Sequence, residues 1–412
     1  MKSNARFVLA RAGRRSGKTE IAKRKLVMSL ARRYNEADPK LFYAGPTRQQ
    51  AKEVAWDDLK ALTPASWLAG RPSETELKIT TKFGSTLQVF GLDQPQRIEG
   101  RGYNGGVVDE MSDIKPKALS VSIYPAMADR NGWLMLIGVP KRAGAGAVNF
   151  NAMFDEAKEK GTFTGSDDTV EAYSWESSTV LSQSELAFFQ GVMDEKDFDE
   201  QFRAMIQTVG GAVFHSFGGH NVQPVKYQPD LPIIVGSDFN VDPMCWVLLQ
   251  DYAGRLNQFG ELWITNTNTP AALDYLAQRY GRHGSGWIWC GDASSRARKT
   301  SATKSDYLHI LNDARFRNKK VVMPKRNPQI LDRISSCNAA FKTANNEIRY
   351  HVDPSCKRTI NDIKIRSYKE NSLTLDDGAD VGHITDALGY AIHSLYPISL
   401  PKTQGSNRVA VY

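Results

Sequence analysis

The sequence lacks several features that would narrow its class at once. It has only four cysteines in 412 residues, and no two of them have the C-x-x-C spacing of a zinc or redox site. We therefore expect reduced thiols in a cytosolic compartment. No run of 18 apolar residues and no apolar N-terminal segment of the signal-peptide type occurs, so we expect no membrane span and no secretion signal.

Internal repeats are also absent, and no low-complexity segment is long enough to be a disordered linker. A hydrophobic content of 41% and a charged content of 24% indicate a globular, soluble protein. A chain of 412 residues is too long for one ordinary core, so two domains are expected. Acidic residues are fewer than basic ones, and the net charge of +8 favours a polyanionic partner.

The most informative stretch is Ala12–Thr19, which reads AGRRSGKT. It matches the phosphate-loop pattern G-x-x-x-x-G-K-[ST], with alanine in place of the first glycine. Backbone N–H groups of such a loop cradle phosphates, while Lys18 would reach the β- and γ-phosphates and the Thr19 hydroxyl would bind Mg²⁺. A strand predicted at 6–10 enters the loop and a helix predicted at 20–33 leaves it, so phosphate would lie at a helix N-terminus. The alternative is a basic turn before a surface helix.

Nucleotide contacts are expected from every residue of the loop after its first, namely Gly13, Arg14, Arg15, Ser16, Gly17, Lys18 and Thr19. An arginine inside such a loop can approach the γ-phosphate and act as an arginine finger in cis. Arg14 is the favoured candidate, and Arg15 has the alternative of being a solvated side chain.

A second motif, Gly105–Glu110, reads GGVVDE and predicts a short strand that ends in Asp-Glu. Asp109 would hold Mg²⁺, and Glu110 could activate the attacking water as a general base. The motif is weak alone and gains weight from the phosphate loop that precedes it. The apolar segment Trp133–Pro140 predicts a strand in the middle of a parallel sheet. Together these elements predict an α/β domain with its site at the carboxyl ends of parallel strands.

The second half of the chain places three aspartates at the ends or starts of apolar elements. Asp238 and Asp292 each end a predicted strand, and Asp386 stands in the first turn of a predicted helix. The first of these strands opens an antiparallel meander, as an RNase H-like fold does. Hydrolysis of a phosphodiester by two metals needs carboxylates that bridge and flank ions about 4 Å apart. Taken singly, each aspartate has a structural alternative as a turn cap, a loop start or a helix-start residue.

Other residues near these positions are weaker candidates. A further ligand could come from Asp242, Asp376, Asp377 or Asp380, and His383 has packing as its alternative role. The segment Ser295–Lys304 carries four cations among small hydroxyl residues and suits phosphate contact, the alternative being a solubilising surface. The composition of 184–207 predicts a helical stretch.

The order of the motifs resembles the large subunit of viral terminases, the DNA-packaging motors of tailed bacteriophages. The stretches that carry the resemblance are Gly13–Thr19, Tyr43–Lys52 followed by Trp56, Gly84–Ser85, Gly100–Gly102, Asp109–Glu110 and Gly138–Pro140. In the second half, the contexts of Asp238, Asp292 and Asp386 match in order the acidic triad of the nuclease domain in that family.

The resemblance implies an α/β protein in which a P-loop NTPase domain with a parallel sheet precedes an RNase H-like nuclease domain of RuvC type. We expect the ATPase domain at 1–207, a junction at 208–230 and the nuclease domain at 231–412. The implied cofactors are ATP and Mg²⁺, with Mn²⁺ as an alternative at the nuclease site. The implied partners are double-stranded DNA, a portal protein and a small terminase subunit. A homo-oligomeric ring docked on the capsid and a location in the host cell cytoplasm follow from the same resemblance.

The resemblance also implies a role for each candidate residue. Arg14 would be the finger, Lys18 and Thr19 would hold phosphate and Mg²⁺, and Asp109 would complete that metal site. Glu110 would be the general base of ATP hydrolysis. The metals of the nuclease would be held by Asp238, Asp292 and Asp386.

Two features depart from the family pattern. Val139 stands where the motif that couples hydrolysis to movement usually carries a hydroxyl residue. Only eleven residues precede Ala12, where the family usually has a segment that contributes to the adenine pocket. The adenine is therefore held differently, or the chain is an abbreviated form. Two other functions stay open at this point: a helicase-like or repair ATPase fused to a nuclease, and a DNA-binding assembly protein with an inactive nuclease.

Overall fold

The computed structural model describes residues 3, 5–164, 168–206, 211–239, 242–296, 304–369, 372–377 and 381–397. The chain forms two compact units. One comprises Met1–Leu186 with Phe198–Thr208, and the other comprises Ala187–Asp197 with Val209–Tyr412. The limits expected for the functional domains, with a junction at 208–230, stay a prediction.

The first unit is built on a parallel sheet. Its strands, in chain order, are β1 (Phe7–Ala12), β2 (Lys40–Gly45), β3 (Lys78–Thr80), β4 (Thr86–Gly91), β5 (Gly105–Val108), β6 (Trp133–Gly138) and β7 (Val170–Trp175). Within the described residues they form a seven-stranded sheet with the order β3-β4-β2-β5-β6-β1-β7. Only the hairpin between β3 and β4 is antiparallel among these pairs. The expected α/β class with a parallel sheet is confirmed.

Helices cover both faces of this sheet. They are α1 (Lys18–Leu30), α2 (Arg48–Ala51), α3 (Asp57–Leu62), α4 (Pro116–Ala118), α5 (Tyr124–Ala128) and α6 (Ala145–Lys160), with π-helical turns at Lys52–Trp56 and Leu119–Ile123. Successive residues of a strand point to opposite faces. Leu134 and Leu136 of β6 accordingly pack in the cluster that contains Phe150 of α6, whereas Met135 packs with Leu26 of α1. All of β6 is buried, as predicted for a strand in the middle of a parallel sheet.

Two further helices carry the chain across the division between the units. They are α7 (Gln183–Val192) and α8 (Glu195–Phe202). The helical stretch predicted over 184–207 is thus two helices in its described part. The break has a clear cause, because the buried Asp194 carboxylate accepts the backbone N–H groups of Lys196 and Asp197 and so caps the start of α8.

The second unit is built on a mixed sheet. Its strands are β8 (Gly211–Ala212), β9 (Ile233–Asp238), β10 (Met244–Tyr252), β11 (Arg255–Ile264), β12 (Trp287–Gly291), β13 (Lys319–Val322), β14 (Tyr350–Val352) and β15 (Ser367–Tyr368). In the described part of this unit, six strands pair in the order β13-β12-β9-β10-β11-β14, and β8 pairs with β15. The antiparallel meander predicted from the first strand onward is confirmed by the pairing of β9, β10 and β11.

Helices also lie on both faces of the mixed sheet. They are α9 (Thr269–Tyr280), α10 (Asp306–Asn312), α11 (Ile330–Phe341), α12 (Lys357–Ile365) and α13 (His383–Leu395). Val247 of β10 packs with Leu388 of α13 on one face, and Trp246 packs with Leu276 of α9 on the other. No helix in the part of the chain that the structure describes is long and apolar enough to cross a membrane.

The two glycines that weakened the prediction of β5 have a packing reason. Gly106 is paired with Phe42 of β2, and a Cβ on Gly106 would lie 2.1 Å from the Phe42 ring. Gly105 is paired with Trp133 of β6, whose indole would lie 2.1 Å from a Cβ at position 105. The Phe42 and Trp133 rings occupy the space beside these glycines, so β5 can lie this close to its neighbours only because positions 105 and 106 carry no side chain.

Gly106→Ala should therefore destabilise the first unit. We expect a loss of about 1–3 kcal/mol, because the buried Phe42 ring must leave its place, and a lower midpoint of thermal unfolding measured by circular dichroism. Gly70→Ala is the matched control, since a Cβ there meets nothing within 4 Å. Equal midpoints for the two variants would contradict this account.

Candidate functional site

The first candidate site lies where β1 passes into α1. Ala12 is the last residue of β1, is buried and pairs with Trp175 of β7. Its backbone is extended, so this position does not require glycine, and the alanine that departs from the phosphate-loop pattern is explained. The left-handed backbone conformations of the loop fall instead at Arg15, with φ of 59°, and at Gly17, with φ of 83°.

The loop is held from the side of β7. Trp175 donates its indole N–H to the carbonyl oxygen of Ser16 at 2.9 Å, and the Ser177 hydroxyl donates to the carbonyl oxygen of Arg14. A Cβ at Gly13 would lie 2.3 Å from the Ser177 oxygen, so glycine is required there by close approach. Sequence reasoning missed both Trp175 and Ser177, which lie far along the chain and carry no motif.

Two donors of the loop have no partner of their own in the described part of the chain. The Ser16 hydroxyl is buried and has no hydrogen-bond partner among the described residues. Lys18 is buried and has no ion-pair partner in the same part of the chain. Leaving buried polar groups unsatisfied is costly, and the N-terminus of α1 adds partial positive charge. These residues fit the phosphate groups of a nucleotide.

Asp109 follows β5 directly and is buried. One of its oxygens, Oδ2, accepts hydrogen bonds from the Thr19 hydroxyl at 2.8 Å and from the Tyr43 hydroxyl at 2.7 Å. The other, Oδ1, accepts the backbone N–H of Glu110 at 2.7 Å. The structure thus brings Thr19 and Asp109 into direct contact across 90 residues of sequence. A hydroxyl and a carboxylate side by side are oxygen ligands of the kind that Mg²⁺ takes.

Tyr43 belongs to this site although the sequence predicted no role for it. Burial raises the pKa of its hydroxyl well above the ordinary value, and the neighbouring Asp109 charge raises it further. The hydroxyl therefore stays protonated and acts as a donor to Asp109. A tyrosine inside an apolar strand gives no sign of which carboxylate it will meet.

Glu110 has a left-handed backbone, with φ of 51°, and its side chain is half-buried. Burial raises the pKa of its carboxyl, and the nearby Lys18 charge opposes that rise. Asp109 also raises the pKa, while Arg14 lowers it. An unusual backbone conformation and a perturbed carboxyl beside the loop lysine are features that concentrate at functional sites.

Arg14 and Arg15 are both exposed, and Arg14 is held by contacts with Gln201. The backbone N–H of Arg14 donates to the carbonyl oxygen of Gln201 at 2.7 Å, and its guanidinium Nε donates to the side-chain oxygen of the same residue. Gln201, like Ser177, was missed by sequence reasoning. The assignment of Arg14 as a finger stays a prediction.

Beyond β6, the carbonyl oxygen of Val139 accepts the Ser112 hydroxyl at 2.5 Å, which links this segment to the turn after Glu110.

The second candidate site lies at the carboxyl ends of β9 and β12. These strands pair in parallel with Ser237 opposite Gly291, so Asp238 and Asp292 come next on neighbouring strands at the same edge. Gly236 allows α13 to approach the sheet closely, because a Cβ there would lie 2.4 Å from the carbonyl oxygen of Ala387. The close approach of α13 brings its first turn, with Asp386, toward the two strand ends.

The environments of the first two carboxylates differ. Asp238 Oδ2 lies 3.2 Å from Nδ1 of His383. Burial raises the pKa of Asp238, the His383 contact opposes this, and the charges of Asp386 and Asp292 raise it further. Asp292 accepts the backbone N–H of Ser294 at Oδ2, while its Oδ1 is buried without a hydrogen-bond partner in the described residues. An orphaned carboxylate oxygen beside a second carboxylate fits a divalent cation.

Asp386 is held by two arginines. Its Oδ1 accepts from Nη1 of Arg366 at 2.9 Å and lies 3.3 Å from Nη1 of Arg333. Arg366 also donates twice to Asp377, at 2.9 and 2.8 Å. No group of three or more histidine, cysteine, aspartate or glutamate side chains is arranged to hold a metal ion in the described part of the chain. Asp238, Asp292 and Asp386 are thus neighbours, but the carboxylate of Asp386 is already paired with two arginines. No motif pointed to the two arginines.

The weaker candidates are dispersed. Asp242 accepts the backbone N–H of Asn266, and Asp377 is the partner of Arg366. Asp380 and residues 297–303 of the basic segment lie outside the described residues. Arg296, at the described start of that segment, donates to the carbonyl oxygen of Met323 and stacks over the Tyr307 ring at 4.2 Å.

The class of protein follows from these two units. A phosphate loop on a parallel sheet is joined in one chain to a mixed sheet with aspartates at its strand ends. Residues 9–209 match a family model described as terminase large subunit, T4likevirus-type, N-terminal. No curated protein sequence matches the chain.

Solved structures with a similar fold cover nearly all of the chain. The large terminase of a thermophilic bacteriophage superposes with a TM-score of 0.59 at 15% identity, over 95% of this chain and 94% of that one. The complexes of that terminase with ADP and with ATP-gamma-S each give a TM-score of 0.56, at 16% and 15% identity and with the same coverage. Over residues 9–209 the chain thus matches the terminase large subunit family, and over nearly its whole length it has the fold of these large terminase structures.

Glu110→Gln should raise the thermal stability of the protein at pH 8. Because burial disfavours the charged carboxylate, the native state of the wild type binds its proton more tightly than the unfolded chain does. Stability is therefore lost as pH rises from the ordinary pKa of a glutamate through the raised one. The variant should unfold a few degrees higher at pH 8, and the difference should shrink toward pH 4. Glu53→Gln, at an exposed position, controls for the loss of one negative charge. A larger difference at pH 4 than at pH 8 would refute this explanation.

Proposed function

We propose that this chain packages viral DNA, with an ATPase in its first unit that moves double-stranded DNA and a metal-dependent endonuclease in its second unit that cuts it. The observation that carries the proposal is the contact between Thr19 and Asp109 inside a unit that matches the terminase family. That contact joins the two motifs on which hydrolysis of a nucleoside triphosphate depends.

In the ATPase, each residue has one task. Lys18 binds the β- and γ-phosphates, and the loop residues Gly13, Arg15, Ser16 and Gly17 surround them with backbone donors. Thr19 and Asp109 hold Mg²⁺, which neutralises phosphate charge when bound. Glu110 accepts the proton of the attacking water, and Arg14 stabilises the charge that develops on the transferred phosphate. The electrostatic influence of the Lys18 charge on the Glu110 carboxyl supports this arrangement.

In the nuclease, Asp238, Asp292 and Asp386 hold divalent cations, Mg²⁺ or Mn²⁺, which polarise the attacking water and stabilise the leaving oxygen when bound. The buried, unpartnered oxygen of Asp292 supports the site. The cleaved substrate is concatemeric double-stranded DNA. We further propose a portal protein and a small terminase subunit as partners, a ring of identical chains on the procapsid, and action in the host cytoplasm.

Two substitutions should separate the activities. Lys18→Ala should lower kcat for ATP hydrolysis by at least about 100-fold, because the charge that faces the γ-phosphate is lost, and should leave cleavage of supercoiled plasmid intact. Asp292→Asn should abolish nicking and linearisation with Mg²⁺ or Mn²⁺ and leave ATP turnover intact. Each variant is the control of the other. Unwinding of a strand-displacement substrate by the wild type would favour a helicase, and absence of cleavage by the wild type would overturn the nuclease assignment.

Tyr43→Phe tests the support of the Mg²⁺ site. The variant keeps the ring in the core and removes one of the three donors to Asp109. We expect the Mg²⁺ concentration at half-maximal ATPase rate to rise about tenfold, as for other outer-sphere partners of metal ligands, with little change in thermal stability. Tyr34→Phe is the control, and an unchanged Mg²⁺ requirement in Tyr43→Phe would show that the hydroxyl does not position Asp109.

A further inference from the structure

The carboxylate that completes the acidic triad is in contact with two buried guanidinium groups. Arg366 and Arg333 are 2% and 5% exposed, respectively. Both direct Nη1 at the same oxygen of Asp386, Oδ1. In the described residues no hydrogen bond reaches the other oxygen, Oδ2. Asp386 can therefore offer a cation only one oxygen without giving up an arginine.

The two arginines are not equivalent. Arg366 is fully engaged, because it also donates to both oxygens of Asp377, to the Thr385 hydroxyl at 2.7 Å and to the carbonyl oxygen of Gly382. Its charge is shared between two carboxylates. Removing it would break these hydrogen bonds together with the one to Asp386 and disturb the start of α13.

Arg333 has a different environment. Asp386 is its one ion-pair partner in the described part of the chain. Its Nε and Nη1 are buried and make no hydrogen bond there, and its guanidinium stacks on the Tyr390 ring at 4.2 Å. A buried charge needs a counter-charge. Among the described residues, the Arg333 charge is thus balanced by Asp386 alone.

A cation bound at Asp386 would compete with Arg333 for the same negative charge. Two positive groups a few ångströms apart in a partly buried site repel each other strongly. Asp292 is not subject to this competition, since it has no ion-pair partner in the described residues and its Oδ1 is unsatisfied. The acidic site is therefore asymmetric before any substrate binds.

We propose that Arg333 keeps Asp386 from binding a divalent cation until DNA is present, so that the resting nuclease holds one cation and takes up the second together with a DNA phosphate. The DNA phosphate supplies the counter-charge that Arg333 would lose when Asp386 binds the cation. This inference rests on the proposed nuclease function. It makes Arg333 a positioning residue that ties assembly of the cutting site to the presence of its substrate.

Calorimetric titration of the full chain with Mn²⁺, without DNA, tests the proposal. Asp386→Asn should bind as many Mn²⁺ ions as the wild type does, because Asp386 is not yet a ligand, although the uncompensated arginines should lower their affinity. Asp292→Asn should lose the binding event of the second unit. Arg333→Met should bind an additional Mn²⁺ about tenfold more tightly than the wild type does, and Arg333→Lys, which keeps the charge, should resemble the wild type. The first unit contributes equally to all of these variants.

Arg279→Met is the matched control, because Arg279 also stacks on a tyrosine, Tyr275 at 4.5 Å, and contacts no carboxylate in the described residues. With a phosphorothioate duplex that resists hydrolysis, the wild type should take up a second Mn²⁺ and Asp386→Asn should not. A folded Arg333→Met that titrates like the wild type would overturn the proposal. Loss of one bound Mn²⁺ by Asp386→Asn without DNA would overturn it as well, even if Arg333→Met fails to fold.

The readout is cation binding, so the outcome is separate from the cleavage test of the proposed function. The expected titrations in a protein that never cuts DNA would overturn the nuclease activity and keep the role of Arg333. An enzyme that cuts DNA but does not give the expected titrations would support the nuclease activity and overturn the role of Arg333.

Discussion

The nucleotide site depends on how one buried carboxylate is satisfied. Asp109 follows a strand made of two glycines and two valines. It accepts three hydrogen bonds, from Thr19, Tyr43 and the backbone of Glu110. A buried carboxylate without such donors would be protonated or expelled. The same three contacts fix the loop helix, the neighbouring strand and the segment of the proposed general base relative to one another.

In the acidic site of the second unit, the buried carboxylates must also be compensated, but different groups compensate them. Burying several like charges together raises their pKa values, and this is the direction found for Asp238. Asp386 is balanced by arginines instead, and Arg366 ties it to Asp377. Counter-charge from the arginines stabilises the Asp386 carboxylate but opposes a cation there. The chemistry of this unit therefore depends on which positive group, arginine or cation, Asp386 holds.

Local sequence was sufficient where function rests on consecutive residues. The phosphate loop, the strand before Asp109 and the strands that end at Asp238 and Asp292 were predicted from short patterns, and their elements are confirmed. The helical stretch predicted over 184–207 is two helices, because a propensity pattern does not reveal that the Asp194 side chain will cap a new helix. The roles of the predicted site residues stay predictions.

The sequence by itself determined the fold class, the phosphate-loop and Asp-Glu motifs and the order of the three aspartates, because these depend on apolar periodicity and on neighbours along the chain. Only the tertiary structure decided that Tyr43 meets Asp109, that Gly236 admits α13 and that Arg333 and Arg366 hold Asp386. Such contacts join residues far apart in sequence. Their electrostatic consequences arise from burial, which excludes water and makes each charge depend on the few groups that pack against it.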